Sequence, residues 1–165
     1  MTASLPTPTT PRTYAPSVNI GAASNSQPDI FCQIAAQDLP AAVVTRTSEL
    51  IAFLDHRPVF KGHVLIAPVR HVDTLLDLPQ ELMTPLLTLA TQVATAIGTA
   101  LGAGGTFVAM NNVVSQSVPH LHLHVVPRSK GDGLRGFFWP RTKYAAGEMD
   151  DYAQRIREAL PTQLN

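Results

Sequence analysis

The sequence contains a single cysteine, Cys32, among its 165 residues. One thiol excludes an internal disulfide framework and any zinc site made of cysteines alone. An excess of positive charge is also missing, because Lys plus Arg and Asp plus Glu each number 12. A protein whose main task is to neutralise a nucleic-acid backbone carries such an excess. We therefore expect neither a disulfide scaffold nor a nucleic-acid-binding protein.

The sequence also lacks long apolar runs and a leader segment. No stretch approaches the roughly 18 uninterrupted apolar residues that a membrane span needs. The N-terminus has neither the basic region nor the apolar region of a signal peptide. Charged residues make up only 15% of the chain, but hydrophobic residues make up 45%, which is enough for one core. The expectation is a cytoplasmic, single-domain protein that does not enter a membrane.

Composition divides the chain into three parts. Residues 1–28 are rich in Pro, Ser and Thr, carry one charge and show no periodicity, which predicts a disordered tail. Residues 29–128 carry the hydrophobic patterns of a folded domain. Residues 129–165 form a basic loop followed by a C-terminal helical extension.

Hydrophobic periodicity in the second and third parts predicts the order β-β-β-α-β-β-α. The predicted strands are 43–46, 50–54, 63–68, 106–110 and 121–126. A long amphipathic helix is predicted over 80–101 and a short one over 148–160. Pro85 inside the long helix predicts a kink or a later start. The predicted fold class is α+β, with a five-stranded, mostly antiparallel sheet, one long helix and a short C-terminal helix.

Three of the six histidines, His120, His122 and His124, alternate with hydrophobic residues on the fifth predicted strand. Alternate side chains of a strand point to opposite faces, so the three rings share one face while the hydrophobic residues face the core. This pattern is open to three interpretations. It could be a His-rich surface strand, half of a metal site, or a nucleophilic site for phosphate chemistry.

Residues on both sides of the histidines favour phosphate chemistry. Gln116 and Ser117 lie just upstream and can donate hydrogen bonds to phosphate oxygens. Downstream, five of the twelve basic residues fall within sixteen positions. They are Arg128, Lys130, Arg135, Arg141 and Lys143. Such a local concentration of positive charge attracts a polyphosphate, although the net charge of the chain is zero.

The segment from Gln116 to Arg128 resembles the signature of the histidine triad superfamily, in which three histidines alternate with hydrophobic residues. Other segments match that family in order and spacing. They are 30–34, 39–41, 52–55, 62–68, His71 and 77–78. The resemblance covers about residues 29–128 and implies a histidine triad-like fold. The Pro-Arg ending resembles the dinucleoside polyphosphate hydrolase branch, and residues 131–141 resemble the extended tail of some bacterial members.

The resemblance implies an enzyme that cleaves nucleotides at the α-phosphate through a nucleotidyl-histidine intermediate. Dinucleoside polyphosphates and nucleoside phosphoramidates are the implied substrates. His122 would be the nucleophile, held by the backbone carbonyl of His120, while His124 contacts phosphate and assists proton transfer. His63 matches the family's fourth histidine, behind the triad. Two alternatives stay open: a nucleotide-binding or sensing module with residual catalysis, and metal-dependent hydrolysis through the triad.

The same resemblance implies a set of substrate-binding residues. Asp55 matches a position that binds ribose hydroxyls, and Gln116 and Ser117 would stabilise charge on phosphate oxygens. The loop between Asn111 and Gln116 is about two residues shorter than is usual in the family. Either Asn111 or Asn112 therefore makes the polar contact to the substrate that the family makes from this loop. The candidate substrate-binding residues are Asp55, Asn111, Gln116, Ser117, Phe31 and Arg128.

Expectations for cofactors and partners follow from the same family pattern. Zinc-bearing members carry Cys-x-x-Cys near the start, with partners at the positions of His71 and His120. Here Asp29 replaces the first cysteine of that motif, so we expect no required metal, with a zinc site at Asp29, Cys32, His71 and His120 as the weaker alternative. A divalent cation can accompany a polyphosphate substrate. We expect a homodimer formed by the helix of residues 80–101 and part of the C-terminal region, with a nucleotide as the other partner.

Overall fold

The computed structural model describes residues 28–134 and 142–160. The predicted tail and part of the basic loop, including Arg135 and Arg141, therefore lie outside the described residues. The chain divides into two compact units, one ending at Lys130 and the other beginning at Gly131. The first unit contains the sheet, and the second contains the C-terminal helix.

Five strands form a single sheet in the order β1-β2-β3-β5-β4, and every neighbouring pair is antiparallel. The strands are β1 (Val43–Arg46), β2 (Leu50–Leu54), β3 (Val64–Pro68), β4 (Gly105–Ala109) and β5 (Leu123–Arg128). The predicted α+β class and five-stranded sheet are confirmed. Strands β2 and β3 are buried on both faces, as the continuous apolar runs in their sequences indicate.

The fifth strand begins two residues later than predicted, at Leu123. The reason lies in the preceding residues, because the N–H of Leu121 donates to the carbonyl of Val72 at 2.6 Å rather than to a neighbouring strand. The predicted alternation of side chains persists in this stretch. Leu121, Leu123 and Val125 lie in the core, while His122 and His124 belong to the opposite face.

The described residues contain three α-helices, α1 (Ile30–Ala36), α2 (Gln80–Leu101) and α3 (Glu148–Ala159), and a 3₁₀ turn at Leu75–Asp77. Helix α2 begins at Gln80, so Pro85 does not delay its start. By length and composition α2 could cross a membrane. Its six buried residues, however, pack into the hydrophobic core. Core packing therefore accounts for its apolar composition.

Helix α1 has no counterpart among the predicted elements. It is seven residues long, which is too short for a helical period to stand out in the sequence. Its ends nevertheless carry recognisable signals. Asp29 is the N-cap and accepts hydrogen bonds from the N–H groups of Phe31 and Cys32, and Gln37 ends the helix in the left-handed conformation.

The two faces of the sheet carry different helices. Leu50 and Ala52 of β2 pack with α2 in the larger core cluster. Ile51 and Phe53 of the same strand pack with Phe31 of α1 in a smaller cluster. Because side chains alternate along a strand, the face that carries His122 and His124 is the face that α1 covers.

The C-terminal helix α3 spans the predicted segment to within one residue. It carries acidic residues in its first turn and Arg157 in its last, an arrangement that suits the helix dipole. Its apolar residues Met149, Tyr152 and Ile156 are exposed within the described residues.

Candidate active site

The pairing of β3 with β5 brings the histidines together. Leu65 lies opposite His124 in the register of the two strands. His63 directly precedes β3, and its Nε2 lies 3.0 Å from Nδ1 of His124. Gly62 has a φ of 93°, a conformation that favours glycine and that turns the chain into His63. The sheet thus delivers two histidines from distant sequence positions to one place.

His122 has a defined protonation pattern. Its Nδ1 lies 2.7 Å from the backbone carbonyl oxygen of His120, and because a carbonyl only accepts, Nδ1 must carry the hydrogen. Burial, together with the charge of His120, lowers the pKa of His122 despite the opposing effect of this hydrogen bond. The ring is therefore neutral near pH 7, and Nε2 carries a lone pair.

Phe31 of α1 packs on the edge of the His122 ring, with centroids 5.0 Å apart. The Phe31 ring also lies beside the rings of Phe53 and His120, with centroid distances of 5.3 Å and 5.7 Å. His122 is only 3% exposed and Phe31 only 6% exposed. The candidate substrate-binding residue Phe31 thus lies against the predicted nucleophile and helps to exclude water from it.

Asp55, His63 and His124 form a hydrogen-bonded series, named here the Asp55 chain. Asp55 and His63 lie on opposite sides of the β2–β3 turn, where the N–H of Asp55 donates to the carbonyl of His63. This pairing places Oδ2 of Asp55 3.2 Å from Nδ1 of His63. Asp55 therefore contacts His63, in addition to any contact with ribose that the family resemblance implies.

The Asp55 chain admits two arrangements of hydrogen atoms. When Nδ1–H of His63 donates to Asp55, Nε2 of His63 accepts from Nδ1–H of His124. When the N–H of Val59, 3.3 Å away, donates to Nδ1 of His63 instead, Nε2–H of His63 donates to His124. In the first arrangement Nε2 of His124 carries a lone pair, and in the second it carries the hydrogen. The series can therefore present either a proton acceptor or a proton donor.

Burial lowers the pKa of two histidines in this chain. For His124 the charges of His122 and His63 add to the effect of burial and lower the pKa to about 4. For His63 burial lowers the pKa, although the charge of Asp55 opposes the change. Both rings are neutral at pH 7 in the absence of substrate.

Asp29, Cys32, His71 and His120 form a second group, named here the Asp29 cluster. One ligand atom from each of the four residues lies within 4.8 Å of the others. Nδ1 of His71 lies 2.8 Å from Oδ2 of Asp29, and Nδ1 of His120 lies 3.2 Å from the same oxygen. Sγ of Cys32 is 3.5 Å from the first ring nitrogen and 3.6 Å from the second.

The hydrogen bonds around the Asp29 cluster fit a metal ion. Nε2 of His120 donates to the carbonyl of Pro68 at 3.0 Å, and Nε2 of His71 donates to Asp73 at 2.7 Å. In a neutral ring this leaves Nδ1 of each histidine with its lone pair directed into the cluster. A carboxylate, a sulfur and two lone pairs then face one another, which is the donor set and the supporting shell of a four-ligand zinc site.

The pKa shifts in the Asp29 cluster show how these groups are held without a cation. Burial and the hydrogen bond to Asp29 raise the pKa of the Cys32 thiol to about 12. Burial opposes ionisation of Asp29, but hydrogen bonds from Cys32 and the charge of His120 hold its pKa well below the usual range. Burial likewise lowers the pKa of His71, but hydrogen bonds with Asp73 and Asp29 outweigh it and raise that pKa. A proton on His71 and one on Cys32 thus occupy the positions that a cation would replace.

The loop of residues 111–117 holds the other predicted substrate contacts. Gln116 is engaged at both ends of its amide, since Oε1 accepts from the N–H of Val113 and Nε2 donates to the carbonyl of Asp73. Asn111 donates to the carbonyl of Ser115, and Asn112 accepts from the N–H of Leu75. Ser117 is exposed. These side chains organise the loop itself, next to the histidines.

Arg128 lies apart from the histidines. It ends β5 opposite Gly105, four residues beyond His124. At about 3.3 Å per residue this separation is about 13 Å. The structure brings His122, His124, His63, Asp55 and Phe31 together but does not bring Arg128 to them.

The sequence interpretation missed three features of the site. Helix α1 covers His122, Asp55 contacts His63, and Asp73 supports His71. The first had a signal in the Asp29 N-cap. The contact between Asp55 and His63 had a signal in the symmetric positions of these two residues around a Pro- and Gly-containing turn. Asp73 had only its position two residues after His71.

Comparison with known proteins agrees with this geometry. The sequence model of the HIT domain family matches residues 36–131. An adenosine 5'-monophosphoramidase of Schizosaccharomyces pombe is 31% identical over 133 residues, which are 79% of this chain and 97% of that protein. A crystal structure of a HIT family member from Bacillus subtilis has a TM-score of 0.75 and 29% identity, and the match covers 83% of this chain and 100% of that one.

A zinc-bound histidine triad family protein from Mycobacterium smegmatis is also similar. It has a TM-score of 0.62 and 30% identity, and the match covers 79% of this chain and 96% of that one. The family model alone spans more than half of the sequence. With the three alternating histidines at residues 120–124 and the fold of known members, this chain belongs to the histidine triad (HIT) family.

Proposed function

We propose that the protein is a nucleotide hydrolase that cleaves at the α-phosphate through a covalent intermediate on His122. The observation that carries the proposal is the 2.7 Å hydrogen bond from Nδ1–H of His122 to the carbonyl of His120. This bond fixes the tautomer whose Nε2 is nucleophilic at neutral pH. The similarity to an adenosine 5'-monophosphoramidase supports a nucleoside phosphoramidate as substrate, and dinucleoside polyphosphates are the second candidate.

In the first step, Nε2 of His122 attacks the α-phosphorus. A phosphorus–nitrogen bond forms, and the bond from phosphorus to the leaving group breaks. The carbonyl of His120 stabilises the positive charge that develops on the ring, because it accepts the hydrogen bond from Nδ1–H. Since the ring is already neutral, no proton has to be removed before the attack.

The leaving group takes a proton from Nε2 of His124. For this step the Asp55 chain takes up one proton from solvent when the negatively charged substrate binds, so that His63 is protonated on both nitrogens beside the Asp55 carboxylate. As His124 gives up its Nε2 proton, it receives one on Nδ1 from Nε2 of His63. His63 then remains neutral, with its Nδ1–H donating to Asp55. The 3.0 Å and 3.2 Å separations in the series support these transfers.

In the second step, water attacks the nucleotidyl-histidine. The phosphorus–nitrogen bond breaks, and His122 leaves as a neutral ring. Nε2 of His124 now carries a lone pair and accepts the proton of the attacking water. The Asp55 chain thereby regains the proton that it gave to the leaving group, so the cycle balances.

Rapid quench under alkaline conditions tests the intermediate, with substrate labelled in its α-phosphate. The unmodified chain should form a labelled protein adduct that decays to nucleoside monophosphate. His122→Ala should form no adduct and should lose turnover by at least about 1,000-fold. Asp38→Ala is the control, because it removes an exposed side chain that lies outside the triad and the Asp55 chain. Both adduct and turnover should survive in the control.

Two other results would contradict the proposal. Tight nucleotide binding without adduct or turnover would show a nucleotide-binding or sensing module. Equal loss of activity on substitution of each triad histidine, together with full inhibition by a chelator, would show metal-dependent hydrolysis. We expect unequal losses because the three histidines have different partners: the Asp29 cluster for His120, a backbone carbonyl for His122 and His63 for His124.

We also propose that the Asp29 cluster holds a zinc ion. Asp29, Cys32, His71 and His120 would supply four protein ligands, which is the composition of a closed, structural site. The bound ion would supply a cross-link between the start of α1, His71 and the first histidine of the triad, His120. The zinc-bound relative from Mycobacterium smegmatis supports this proposal. The structure thus favours a metal more than the replacement of a cysteine by Asp29 suggested.

Finally, we propose a homodimer that uses the exposed face of α2. Glu81 is the only charged residue of this helix. Met83 and Leu87 are 43% and 59% exposed, which leaves apolar area uncovered in one copy. Light scattering on the full chain at micromolar concentration should give twice the mass of one chain. A monomer at that concentration would contradict the proposal.

A further inference from the structure

Residues 71–75, named here the connecting segment, lie between the Asp29 cluster and the residues expected to bind substrate. One end carries a metal-ligand candidate, His71. The rest of the segment includes Asp73, which supports His71 and to which the proposed reaction assigns no role. Asp73 makes two short hydrogen bonds, one through its carboxylate with His71 and one through its backbone carbonyl with Gln116.

On the side of the Asp29 cluster, the Asp73 carboxylate accepts from Nε2–H of His71 at 2.7 Å. This bond assigns the hydrogen to Nε2 and leaves Nδ1 directed at Asp29 and Cys32. An imidazole binds a metal only through a nitrogen lone pair. Asp73 therefore selects the ring form and the orientation with which His71 can act as a ligand.

On the substrate side, the Asp73 carbonyl accepts from Nε2 of Gln116 at 2.6 Å. Two further bonds hold the same segment. The Val72 carbonyl accepts from the N–H of Leu121 at 2.6 Å, and the N–H of Leu75 donates to Asn112 at 2.7 Å. The connecting segment is thus bonded both to the loop of residues 111–117 and to the residue between His120 and His122.

The loop needs these bonds because its backbone is strained. Val113 and Ser115 have φ values of 66° and 62°, in the left-handed region that favours glycine. Such conformations persist only where surrounding contacts impose them. The amide of Gln116 supplies two of these contacts, by accepting from the N–H of Val113 and by donating to Asp73.

We propose that Asp73 is a positioning residue that couples metal binding at the Asp29 cluster to the conformation of the 111–117 loop. Its carboxylate holds His71 toward the ion, and its carbonyl holds Gln116. A metal that fixes His71 therefore also restrains the residues expected to contact phosphate. This inference rests on the proposed zinc site and extends it to the substrate side.

The first test measures zinc affinity of the full chain by competition with a chromophoric chelator. Asp73→Ala should weaken zinc binding by about 10-fold, the lower end of what loss of a supporting hydrogen bond to a ligand costs. Asp73→Asn keeps an oxygen that accepts from His71, so its affinity should stay within about threefold of the unmodified chain. Asp38→Ala, which removes an exposed carboxylate elsewhere, should bind zinc as the unmodified chain does.

The second test measures amide hydrogen exchange of residues 111–117 with and without zinc. Zinc should slow this exchange several-fold in the unmodified chain and in Asp73→Asn. In Asp73→Ala, zinc at saturating concentration should slow it by less than half as much. A general loss of stability would also speed exchange in β2 and β3, so unchanged exchange there separates positioning from unfolding.

Several results would overturn the inference. These are equal zinc affinity in Asp73→Ala and the unmodified chain, loop exchange that does not respond to zinc, and an unmodified chain that binds no zinc. None of them affects the test for an adduct on His122. Conversely, zinc-dependent protection of the loop in a chain that forms no adduct would keep this inference and contradict the hydrolase proposal.

Discussion

The Asp29 cluster and the Asp55 chain are built from similar groups, a carboxylate and imidazole rings, but their rings are arranged differently. In the Asp29 cluster both rings donate outward through Nε2, and their Nδ1 atoms converge on Asp29. In the Asp55 chain the rings bond to each other in series. Converging lone pairs suit a cation, whereas a series of donors and acceptors suits a moving proton.

For two neighbouring histidines of the triad, backbone carbonyls decide which ring nitrogen stays available. The carbonyl of Pro68 takes the Nε2 hydrogen of His120, whereas the carbonyl of His120 takes the Nδ1 hydrogen of His122. Two histidines separated by one residue therefore present opposite nitrogens. The comparison shows that a histidine's function depends on which ring nitrogen the backbone occupies.

The largest effect is expected when two ligands of the Asp29 cluster are removed, and this change tests whether the two sites function independently. Asp29→Ser combined with Cys32→Ser should weaken zinc binding by at least about 100-fold, since a carboxylate and a thiolate are lost. Serine at position 29 keeps an oxygen that can cap α1. The His122 adduct should still form. Equilibrium dialysis measures zinc binding, and the labelled-adduct assay measures formation of the His122 adduct. If the double variant also loses the adduct, the two sites are not independent.

The sequence predicted the parts of these sites that repeat along a strand and missed those that depend on a turn. Alternation placed His122 and His124 on one face, and the structure shows this although only His124 lies within β5, because the two ring centroids lie 4.8 Å apart. The pairing of Asp55 with His63 follows from the register of β2 and β3 at their turn, which periodicity does not specify. Helix α1 escaped detection because seven residues give a helical period too little length.

A smaller effect sharpens the role of the Asp55 chain. Burial lowers the pKa of His63 and the charge of Asp55 opposes this, so Asp55→Asn should lower that pKa further. The added proton that the leaving group needs is then held only at lower pH. Turnover at pH 7 should fall by roughly 10-fold, and the decline of kcat with rising pH should move to lower pH.

Kinetics with two leaving groups check this interpretation. An amine or phosphate leaving group needs the proton, whereas a nitrophenolate leaves without one. The loss in Asp55→Asn should therefore be much smaller with the nitrophenyl substrate. Equal losses with both substrates would show that Asp55 acts by binding the nucleotide alone.

Acid stability provides a third comparison. Burial, with the charges of His122 and His63, lowers the pKa of His124 to about 4, so folding favours the neutral ring. This contribution to the free energy of unfolding is complete above the unfolded value of about 6.5 and is lost as the pH falls toward 4. His71 acts in the opposite direction, because its pKa is raised and its contribution is lost as the pH rises. The two histidines should thus respond oppositely to acid.

His124→Asn, whose side chain cannot be protonated, isolates the contribution of His124 to the pH dependence of stability. The decrease in the free energy of unfolding between pH 7 and pH 5 should be about 1 kcal/mol smaller than in the unmodified chain. Urea unfolding at the two pH values measures it, with the exposed His56→Asn as control. An unchanged decrease would show that His124 is protonated as readily in the folded chain as in the unfolded one.

The smallest expected effect concerns α1, which serves both sites by carrying two ligands of the Asp29 cluster and the Phe31 ring that packs on His122. Gln37 ends this helix with a φ of 67°. Gln37→Gly should relieve that conformation and stabilise the protein by about 0.5 kcal/mol. Thermal unfolding measures the gain. If α1 is a rigid support for both sites, zinc affinity and adduct formation should not change, and a change in either one alone would show that the helix orients that site actively.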